Sequence, residues 1–404
     1  MMKETVDDVF ASVLEMLFEK GYVKLDNYFL DGTKIEANAN RYSYVWSKST
    51  KRYKKNLQSK IKALLKQIDR VNEKENEEYG DSDLEELGEG IDLSSDELDC
   101  KIEELNKKLE KKTNKKDKAL KTIKQECLPR LRRYEEQETI AGDRNSYSKT
   151  DNDATFMRMK EDHFENGQAK PGYNIQIGTE NQFILGFSIH QGAGDSGFLI
   201  PHMEHVKNNQ LGRLPLNIIA DAAYGSEENY EYLAQYGIGN YLKYNTFHAE
   251  TKKNYKDDIF RLENLTYNEI ADEYICPSGK RMRRVKVKQV VTDNGYLTER
   301  VIYECEDCSG CHLKEKCTKS KGNRRSTVSK RLQKLREEAA HNLRSEKGIR
   351  LRSKRPVEVE TVFGRLKHNW SFRRFTLRGI KKVKTEWGLL CIAHNIAKMA
   401  TAHS

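Results

Sequence analysis

The sequence predicts an α/β fold, because strand-like segments that end in acids alternate with amphipathic helical ones. Residues 22–30 form a short alternating apolar segment that ends at Asp31. Leu216–Ala220 is apolar except at Asn217, as expected for a strand buried on both faces, and it ends at Asp221. Val6–Lys20 places its apolar side chains on one face of a helix. We therefore expect strands and helices in layers, with two acids at strand ends.

The other predicted elements follow from the same periodicities and from turn and capping residues. The predicted strands are Tyr173–Gly178, Phe183–Ile189 and Asn240–Tyr244. The predicted helices are the segment from Ser226, as N-cap, to Gln235 and several within Ser326–His403, where Pro356 lies near a helix start.

Two segments with apolar residues at alternating spacings of four and three predict an insertion of helices. This spacing is the seam of a coiled coil. An acidic, glycine-bearing stretch, Glu73–Glu97, separates the segments and is predicted to be a mobile loop. The simplest arrangement is an antiparallel helical hairpin. The seam residues are Leu57, Ile61, Leu64, Ile68 and Val71, then Leu98, Ile102, Leu105 and Leu109.

The charge of the 404-residue chain is unevenly distributed. The formal net charge is +10, and charged residues make up 33% of the sequence. Gly310–Lys384 contains 24 Lys and Arg but only 6 Asp and Glu. Such a dense basic stretch favours a polyanionic partner, most often nucleic acid, over an ordinary solvated helix surface.

Neither a membrane span nor a secretory signal is predicted. No apolar run approaches the roughly 18 residues that a spanning helix needs, and the acidic start MMKETVDDVF lacks a secretory pattern. We therefore expect a cytoplasmic protein. In that compartment the eight cysteines are expected to be metal ligands or buried thiols rather than disulfides.

Five cysteines lie close together in the sequence and predict a zinc site. Cys305, Cys308, Cys311 and Cys317 follow one another at short spacings, and Cys276 precedes them in a Cys-Pro-Ser-Gly turn. Paired thiolates from two segments are typical of closed, structural zinc sites. The preferred ligands are Cys276, Cys308, Cys311 and Cys317, with Cys305 as the alternative. The competing interpretations are redox-sensitive or simply buried thiols.

Three carboxylates are candidates for a metal-dependent active site. Asp31 and Asp221 end predicted strands, and Glu360 lies in the predicted helix of RPVEVETVFGRLK. Converging acids repel one another unless cations neutralise them. Oxygen ligands suit Mg²⁺ or Mn²⁺, and two such ions support phosphoryl transfer. Taken singly, each acid has a plainer explanation as a turn residue or a surface ion-pair partner.

Four motifs, in the order DGTKIEANANRYSYVW, MRMKEDHFENGQAKPGYNIQIGTENQ, IIADAAYGSEEN and RPVEVETVFGRLK, carry a resemblance to a known family. The chain resembles bacterial insertion-sequence transposases of the DDE class, from about Asp26 to Lys398, and most closely the insertion-sequence family numbered eleven eighty-two. The resemblance implies an RNase H-like mixed sheet flanked by helices. It also implies that Asp31, Asp221 and Glu360 are the three acids.

The resemblance favours Glu360 over Glu358, because Phe363 and Lys367 follow Glu360 at the spacing of the family. Lys367 is then the expected phosphate contact, and Arg355 is expected to clamp DNA. Aromatic residues interleaved with arginines beyond Lys367 allow either base stacking or core packing. The remaining arginines predicted to bind DNA are Arg365, Arg373 and Arg374.

The implied function is that of a DNA transposase, which cleaves strands at transposon ends and transfers the freed 3′-hydroxyl with two Mg²⁺ or Mn²⁺ ions. A homodimer is expected when two ends are paired. One alternative is an inactive or domesticated remnant that binds DNA, and another is a zinc-stabilised scaffold. The similar transposases carry a substantial helical segment before the first acid, which this chain reduces to Val6–Lys20.

The predicted organisation places two insertions within one core. The segments are 1–48 (N-terminal helix and first part of the core), 49–138 (antiparallel coiled coil), 139–272 (core), 273–325 (zinc-ribbon-like cysteine-rich insertion) and 326–404 (C-terminal helices with the third acid).

Overall fold

The computed structural model describes residues 6–79, 94–108, 114–159, 168–292 and 294–402. Within these ranges thirteen strands form three sheets. In chain order the strands are β1 (Asn27–Glu36), β2 (Tyr44–Trp46), β3 (Ser146–Ser148), β4 (Thr155–Arg158), β5 (Ala169–Glu180), β6 (Phe183–His190), β7 (Asn217–Ala220), β8 (Gly239–Leu242), β9 (Thr266–Asn268), β10 (Glu273–Ile275), β11 (Arg281–Val291), β12 (Leu297–Cys305) and β13 (Arg325–Val328).

Thirteen α-helices lie in the same ranges. They are α1 (Val6–Glu19), α2 (Ser47–Tyr79), α3 (Ser95–Lys108), α4 (Asn114–Thr122), α5 (Leu128–Ala141), α6 (Leu199–Val206), α7 (Glu227–Gln235), α8 (Lys253–Lys256), α9 (Lys314–Cys317), α10 (Lys330–Arg344), α11 (Glu346–Arg355), α12 (Thr361–Gly364) and α13 (Ile380–Ala402). The predicted helices at the N-terminus and after Ser226 are confirmed, and the Ser226 hydroxyl accepts the Asn229 N–H at 3.2 Å.

The largest sheet is mixed and has six strands in the order β4-β5-β1-β7-β8, with β6 also paired to β5. Strand β1 runs antiparallel to β5 and parallel to β7, and β7 runs parallel to β8. The predicted α/β class is confirmed. This topology is compatible with the RNase H-like sheet that the resemblance implies.

The sequence predicted that Asp31 ends its strand, but the strand continues past this residue. Strand β1 starts only at Asn27 and continues through Asp31 to Glu36, because the residues beyond Asp31 keep their antiparallel pairing with β5. Asp221 follows β7 directly, as predicted. The parallel register pairs Phe29 with Ile219, so the two acids, each two residues further on, lie beside each other.

The position of β1 is set by the packing of Tyr28. Its ring is fully buried and fills the space above Gly178 and Gly186, where a Cβ would overlap the ring or its hydroxyl. The hydroxyl lies 2.7 Å from Nε2 of His202, whose Nδ1 lies 2.7 Å from the Ser188 hydroxyl. The large side chain of Tyr28 therefore fits over Gly178 of β5 and Gly186 of β6 at only one register of the sheet.

A buried carboxylate fixes the entry into β1. Both oxygens of Glu180, at the end of β5, accept hydrogen bonds from four successive backbone N–H groups. The donors are Lys24 and Leu25 at 2.7 Å, then Asp26 and Asn27 at 2.9 Å. Leu25 has a φ of 65°, so the Glu180 carboxylate stabilises a strained turn before the strand.

The helical insertion is a bundle rather than a hairpin of the two predicted segments. Helix α2 packs along α4 and α5, and α3 packs on α5. The predicted seam residues Leu57, Ile61 and Ile68 of α2 are buried. They share one core with residues of α4, of the π-helical turn Ile123–Cys127 and of α5, which the heptad pattern did not include. The added core residues are Ala119, Leu120, Ile123, Leu128 and Leu131.

Both ends of the loop predicted at Glu73–Glu97 are helical. Helix α2 continues to Tyr79, and α3 begins at Ser95. Residues 80–93 lie outside the described residues, as do Leu109 and the side chains of Val71 and Leu105.

The cysteine-rich segment contains a five-stranded antiparallel sheet in the order β13-β12-β11-β10-β9. Its long hairpin, β11 with β12, lies against α7 of the main body. The Glu227 carboxylate of α7 accepts a hydrogen bond from the Thr298 hydroxyl at 2.8 Å and lies 3.7 Å from the guanidinium of Arg300. The insertion is therefore anchored to the helix that begins six residues after Asp221.

The sequence predicted that Pro356 lies near a helix start. In the structure it lies inside a continuous helical path. Helix α11 passes into the π-helical turn Pro356–Glu360, then into α12 and a second π-helical turn, Arg365–Asn369. Proline has no backbone N–H for the usual helical hydrogen bond, and a wider turn accommodates it. The predicted helical stretch is interrupted at residues 370–379, before α13.

Candidate active site

Two carboxylates from neighbouring strands converge on one cation. The Nη2 atom of Arg355 lies 3.0 Å from Oδ1 of Asp31 and 3.7 Å from Oδ2 of Asp221. Asp31 Oδ1 also accepts the N–H of Gly32 at 2.9 Å, and Asp221 Oδ1 accepts that of Ala223 at 2.9 Å. Backbone hydrogen bonds therefore fix both carboxylates, and a single positive group bridges them.

Arg355 comes from the last turn of α11 and is largely buried, with 11% of its side chain exposed. Its Nε is buried and has no hydrogen-bond partner in the described part of the chain. The guanidinium occupies the position between the two acids where a metal ion could bind. Because the donors are carboxylate oxygens only, this pair fits a hard divalent ion such as Mg²⁺. No group of three or more His, Cys, Asp or Glu among the described residues is arranged to hold a metal.

The two candidates for the third acid face different surroundings. Glu358 is buried, and its carboxylate accepts the Gln182 N–H of the β5–β6 turn at 2.7 Å. Burial raises the pKa of Glu358, although that hydrogen bond opposes the shift. Glu360 ends the π-helical turn and is exposed. Glu358 thus holds the helix to the sheet, whereas Glu360 is open to solvent.

Sequence reasoning missed a lysine beside the acid pair. Lys243 follows β8, and its N–H donates to the Ala220 carbonyl at 3.2 Å, so it lies alongside Asp221. Burial lowers the pKa of Lys243, the charges of Arg355 and Arg352 lower it further, and Asp221 opposes them. The signal was present, since Lys243 lies within the predicted strand Asn240–Tyr244 and β8 is parallel to the strand that ends at Asp221.

A polar network supports the other face of β1 behind Gly32. One oxygen of Asp195 accepts hydrogen bonds from Asn174 at 2.7 Å and from Gln176 at 3.1 Å. The Tyr224 hydroxyl donates to the Gln176 side-chain carbonyl, and burial raises the pKa of Tyr224 well above its ordinary value. A Cβ at Gly32 would overlap this network. Asp195 therefore belongs to the support of the site.

The predicted phosphate contact Lys367 is buried, with 7% of the residue exposed. Arg365 places its guanidinium 5.4 Å from the centre of the Trp370 ring. Arg373 is exposed. Arg374 is exposed but donates to the carbonyls of Ala37 and Ala39, at 3.2 and 3.1 Å.

The interleaved aromatic residues pack within the protein. Phe375 is buried, and Phe372 packs partly buried against the same core. Phe375 makes edge contacts with Tyr173 and Phe372, at centroid distances of 5.7 and 5.4 Å. For Phe375 the structure therefore favours the core-packing alternative over stacking on bases.

The five clustered cysteines lie around one end of the five-stranded sheet. Cys305 and Cys308 are buried in its core, and Cys276 packs at the edge of that core. Burial raises the pKa of Cys305 to about 12. These three thiols are close neighbours, but they do not form a metal-ligand group in the described residues.

The two remaining thiols of the cluster have other partners. Cys311 Sγ lies 3.2 Å from the Ser278 hydroxyl, and this hydrogen bond lowers the pKa of Cys311. Cys317 Sγ accepts from the Arg324 guanidinium at 3.2 Å, and the Arg324 backbone N–H donates to Cys308 Sγ at 3.4 Å. All eight cysteines are free thiols, so no disulfide competes with metal binding.

A mixed sheet of this topology, with paired carboxylates on its central parallel strands, is compatible with the RNase H-like class of enzymes. Two protein-family models match the chain, and both are described as a transposase DDE domain. One covers residues 144–275 and the other residues 275–400. The matches support a DDE transposase.

The matched span contains Asp221 and Glu360 but begins after Asp31. No curated protein and no solved structure matches the chain. In the described residues, no helix combines the length and apolar character needed to cross a membrane.

Proposed function

We propose that the protein is an insertion-sequence transposase that cleaves DNA strands and transfers them to a target, and that Asp31, Asp221 and Glu360 are its catalytic acids. The convergence of Asp31 and Asp221 on one guanidinium is the observation that carries the proposal. When bound to these acids, two Mg²⁺ or Mn²⁺ ions would activate the attacking hydroxyl and stabilise the leaving oxygen. The proposal places the chain in the insertion-sequence family numbered eleven eighty-two.

The residues around the acids have distinct roles in this proposal. Asp31 and Asp221 are each held by a backbone N–H group, which fixes the direction of both carboxylates. Arg355 supplies one positive charge to the pair in the resting protein, and its guanidinium would be available to a DNA phosphate if a metal ion took its place. The exposure of Glu360 supports it as the third acid, because the Glu358 carboxylate is already engaged by Gln182.

A plasmid-nicking assay with Mg²⁺ or Mn²⁺ tests this proposal. We expect Asp221→Asn to reduce nicking by at least about a hundredfold, because one metal-ligand charge is lost. The matched control is Asp257→Asn, at an exposed aspartate after α8, which should nick like the parent. Glu360→Gln should lose activity without losing stability, whereas Glu358→Gln should lose stability. Parent-level nicking by Asp221→Asn would exclude the proposed acids.

The same assay separates the transposase from an inactive or domesticated remnant. The remnant would bind DNA in a salt-sensitive way but show no metal-dependent nicking in the parent protein. We also propose that the protein is cytoplasmic and that it forms a homodimer when two transposon ends are paired. A structural zinc ion would be held by Cys276, Cys308, Cys311 and Cys317.

A further inference from the structure

Three cations, Lys243, Arg352 and Arg355, lie near one another at the end of the sheet that carries Asp221. Lys243 lies at the carboxyl end of β8, next to Asp221 at the carboxyl end of β7. Arg352 and Arg355 are three residues apart on α11, so they lie on the same side of that helix. The crevice at the carboxyl ends of parallel strands is where α/β sheets bind their ligands.

The surrounding contacts hold these cations in place. Arg352 Nε donates to the Leu343 carbonyl at 3.0 Å, and its guanidinium lies 5.0 Å from the centre of the Phe247 ring. Arg355 is held by the two acids, as described above. The Lys243 backbone is fixed by its hydrogen bond to Ala220. The two guanidinium groups are therefore preorganised, and the backbone position of Lys243 is fixed beside them.

The three cations carry one positive charge more than Asp31 and Asp221 together neutralise. Burial lowers the pKa of His248, and the charges of Lys243, Arg352 and Lys252 lower it further. Like charges held together in a partly buried site are unfavourable unless an anion joins them. Guanidinium groups bind phosphate through two parallel hydrogen bonds, and a lysine adds a compact charge.

We propose that Lys243, Arg352 and Arg355 form a phosphate subsite that holds the DNA phosphodiester next to the one cleaved at Asp31 and Asp221. The substrate strand then leaves the acid pair along the carboxyl end of β8. This inference deepens the proposed function and rests on it for the identity of the cleaved strand. The subsite itself is tested without catalysis.

The test is a lysine footprint in EDTA, where no metal-dependent cleavage occurs. The parent protein is acylated with and without a mixed-sequence DNA duplex, and peptide mass spectrometry measures modification at each lysine. We expect DNA to reduce modification of Lys243 severalfold and to leave the exposed Lys66 of α2 unchanged. Inorganic phosphate at the same phosphate concentration should not protect Lys243. Equal modification of Lys243 with and without DNA, or equal protection by inorganic phosphate, would overturn the proposal.

A substitution gives an energetic check on the same subsite. Lys243→Gln should weaken duplex binding and reduce the slope of log affinity against log salt by about 0.9, the value for one lost phosphate contact. Lys66→Gln is the control and should keep the parent slope, and thermal unfolding confirms that both variants are folded. If Lys243→Gln kept the same slope of log affinity against log salt as the parent protein, the subsite would be contradicted. Protection of Lys243 in a parent that does not nick DNA would instead retain the subsite and contradict the proposed catalytic function.

Discussion

The guanidinium of Arg355 lies 3.0 Å from the carboxylate of Asp31 and bridges it to Asp221. The protein thus provides its own counter-cation where the proposed function requires a metal ion. Two carboxylates that lie this close are stabilised by a cation and destabilised by its loss. Arg355 and a divalent ion should therefore compete for the same oxygens.

The first prediction concerns this competition. Arg355→Gln should lower the metal-free stability of the protein by about 1–3 kcal/mol, because two partly buried acids lose their partner. It should also lower the Mg²⁺ concentration needed to raise the unfolding temperature, because the competing cation is gone. Thermal unfolding over a Mg²⁺ titration measures both effects.

The control for this prediction is Arg350→Gln, at an exposed position on the same helix. It removes one positive charge from α11 without touching the acids, so both quantities should stay at the parent value. An unchanged or higher Mg²⁺ requirement in Arg355→Gln would show that the arginine does not occupy the metal position.

The second prediction concerns the carboxylate that holds the start of β1. Glu180→Ala leaves four backbone N–H groups without their acceptor and should cost about 3–5 kcal/mol of unfolding free energy. Chemical denaturation measures the loss. Glu338→Ala, at an exposed position of α10, is the control and should change the stability little. A loss below about 1 kcal/mol would mean that water replaces the carboxylate at these groups.

The third prediction concerns pH. Burial lowers the pKa of His190 from its ordinary value of 6.5 to about 4, and the charge of His205 adds to the shift. Between pH 6.5 and about 4 the unfolded chain takes up a proton that the folded protein does not. The free energy of unfolding should therefore decrease as the pH is lowered across this window, by up to about 1.4 kcal/mol per pH unit for this histidine.

Chemical denaturation of His190→Gln at pH 7 and pH 5 checks this expectation. The variant should lose less stability between the two pH values than the parent, because one titrating group is absent. His341→Gln, at an exposed position on α10, is the control and should follow the parent. An identical loss in His190→Gln and the parent would contradict a half-buried neutral imidazole at this position.

The fourth prediction concerns the cysteine cluster. Elemental analysis of the purified protein should find about one zinc per chain, as in a closed four-thiolate site. Cys308→Ser should lose the metal, and the exposed Cys100→Ser should keep it. Cys305→Ser tests whether the fifth thiol is a ligand. A folded parent protein without zinc would contradict the site.

The local patterns of the sequence were sufficient to place Asp221 at the end of a strand. The apolar residues Ile218–Ala220 belong to β7, whose residues are all buried, so the end of this strand at Asp221 could be read directly. Asp31 was also identified, but its place within β1 was not. The pairing of its strand with β5 depends on residues about 145 positions away, and no local pattern encodes this pairing.

Other features depended on contacts between distant segments. Lys243 lies beside Asp221 only because β7 and β8 are parallel neighbours. The role of Glu358 depends on its contact with Gln182, which is far away in the chain. The heptad pattern located buried residues of α2, but α2 packs mainly on α4 and α5, which the predicted hairpin did not include.

The fit of Tyr28 above Gly178 and Gly186 has a consequence for how this protein can change over time. The ring leaves no room for a side chain at either glycine, so a single replacement at Gly178 would displace the strand that carries Asp31. A smaller residue at position 28 would leave a void and release His202 from its hydroxyl partner. Viable descendants of this sequence must therefore alter these three positions together or not at all, and the lineage inherits them as one unit.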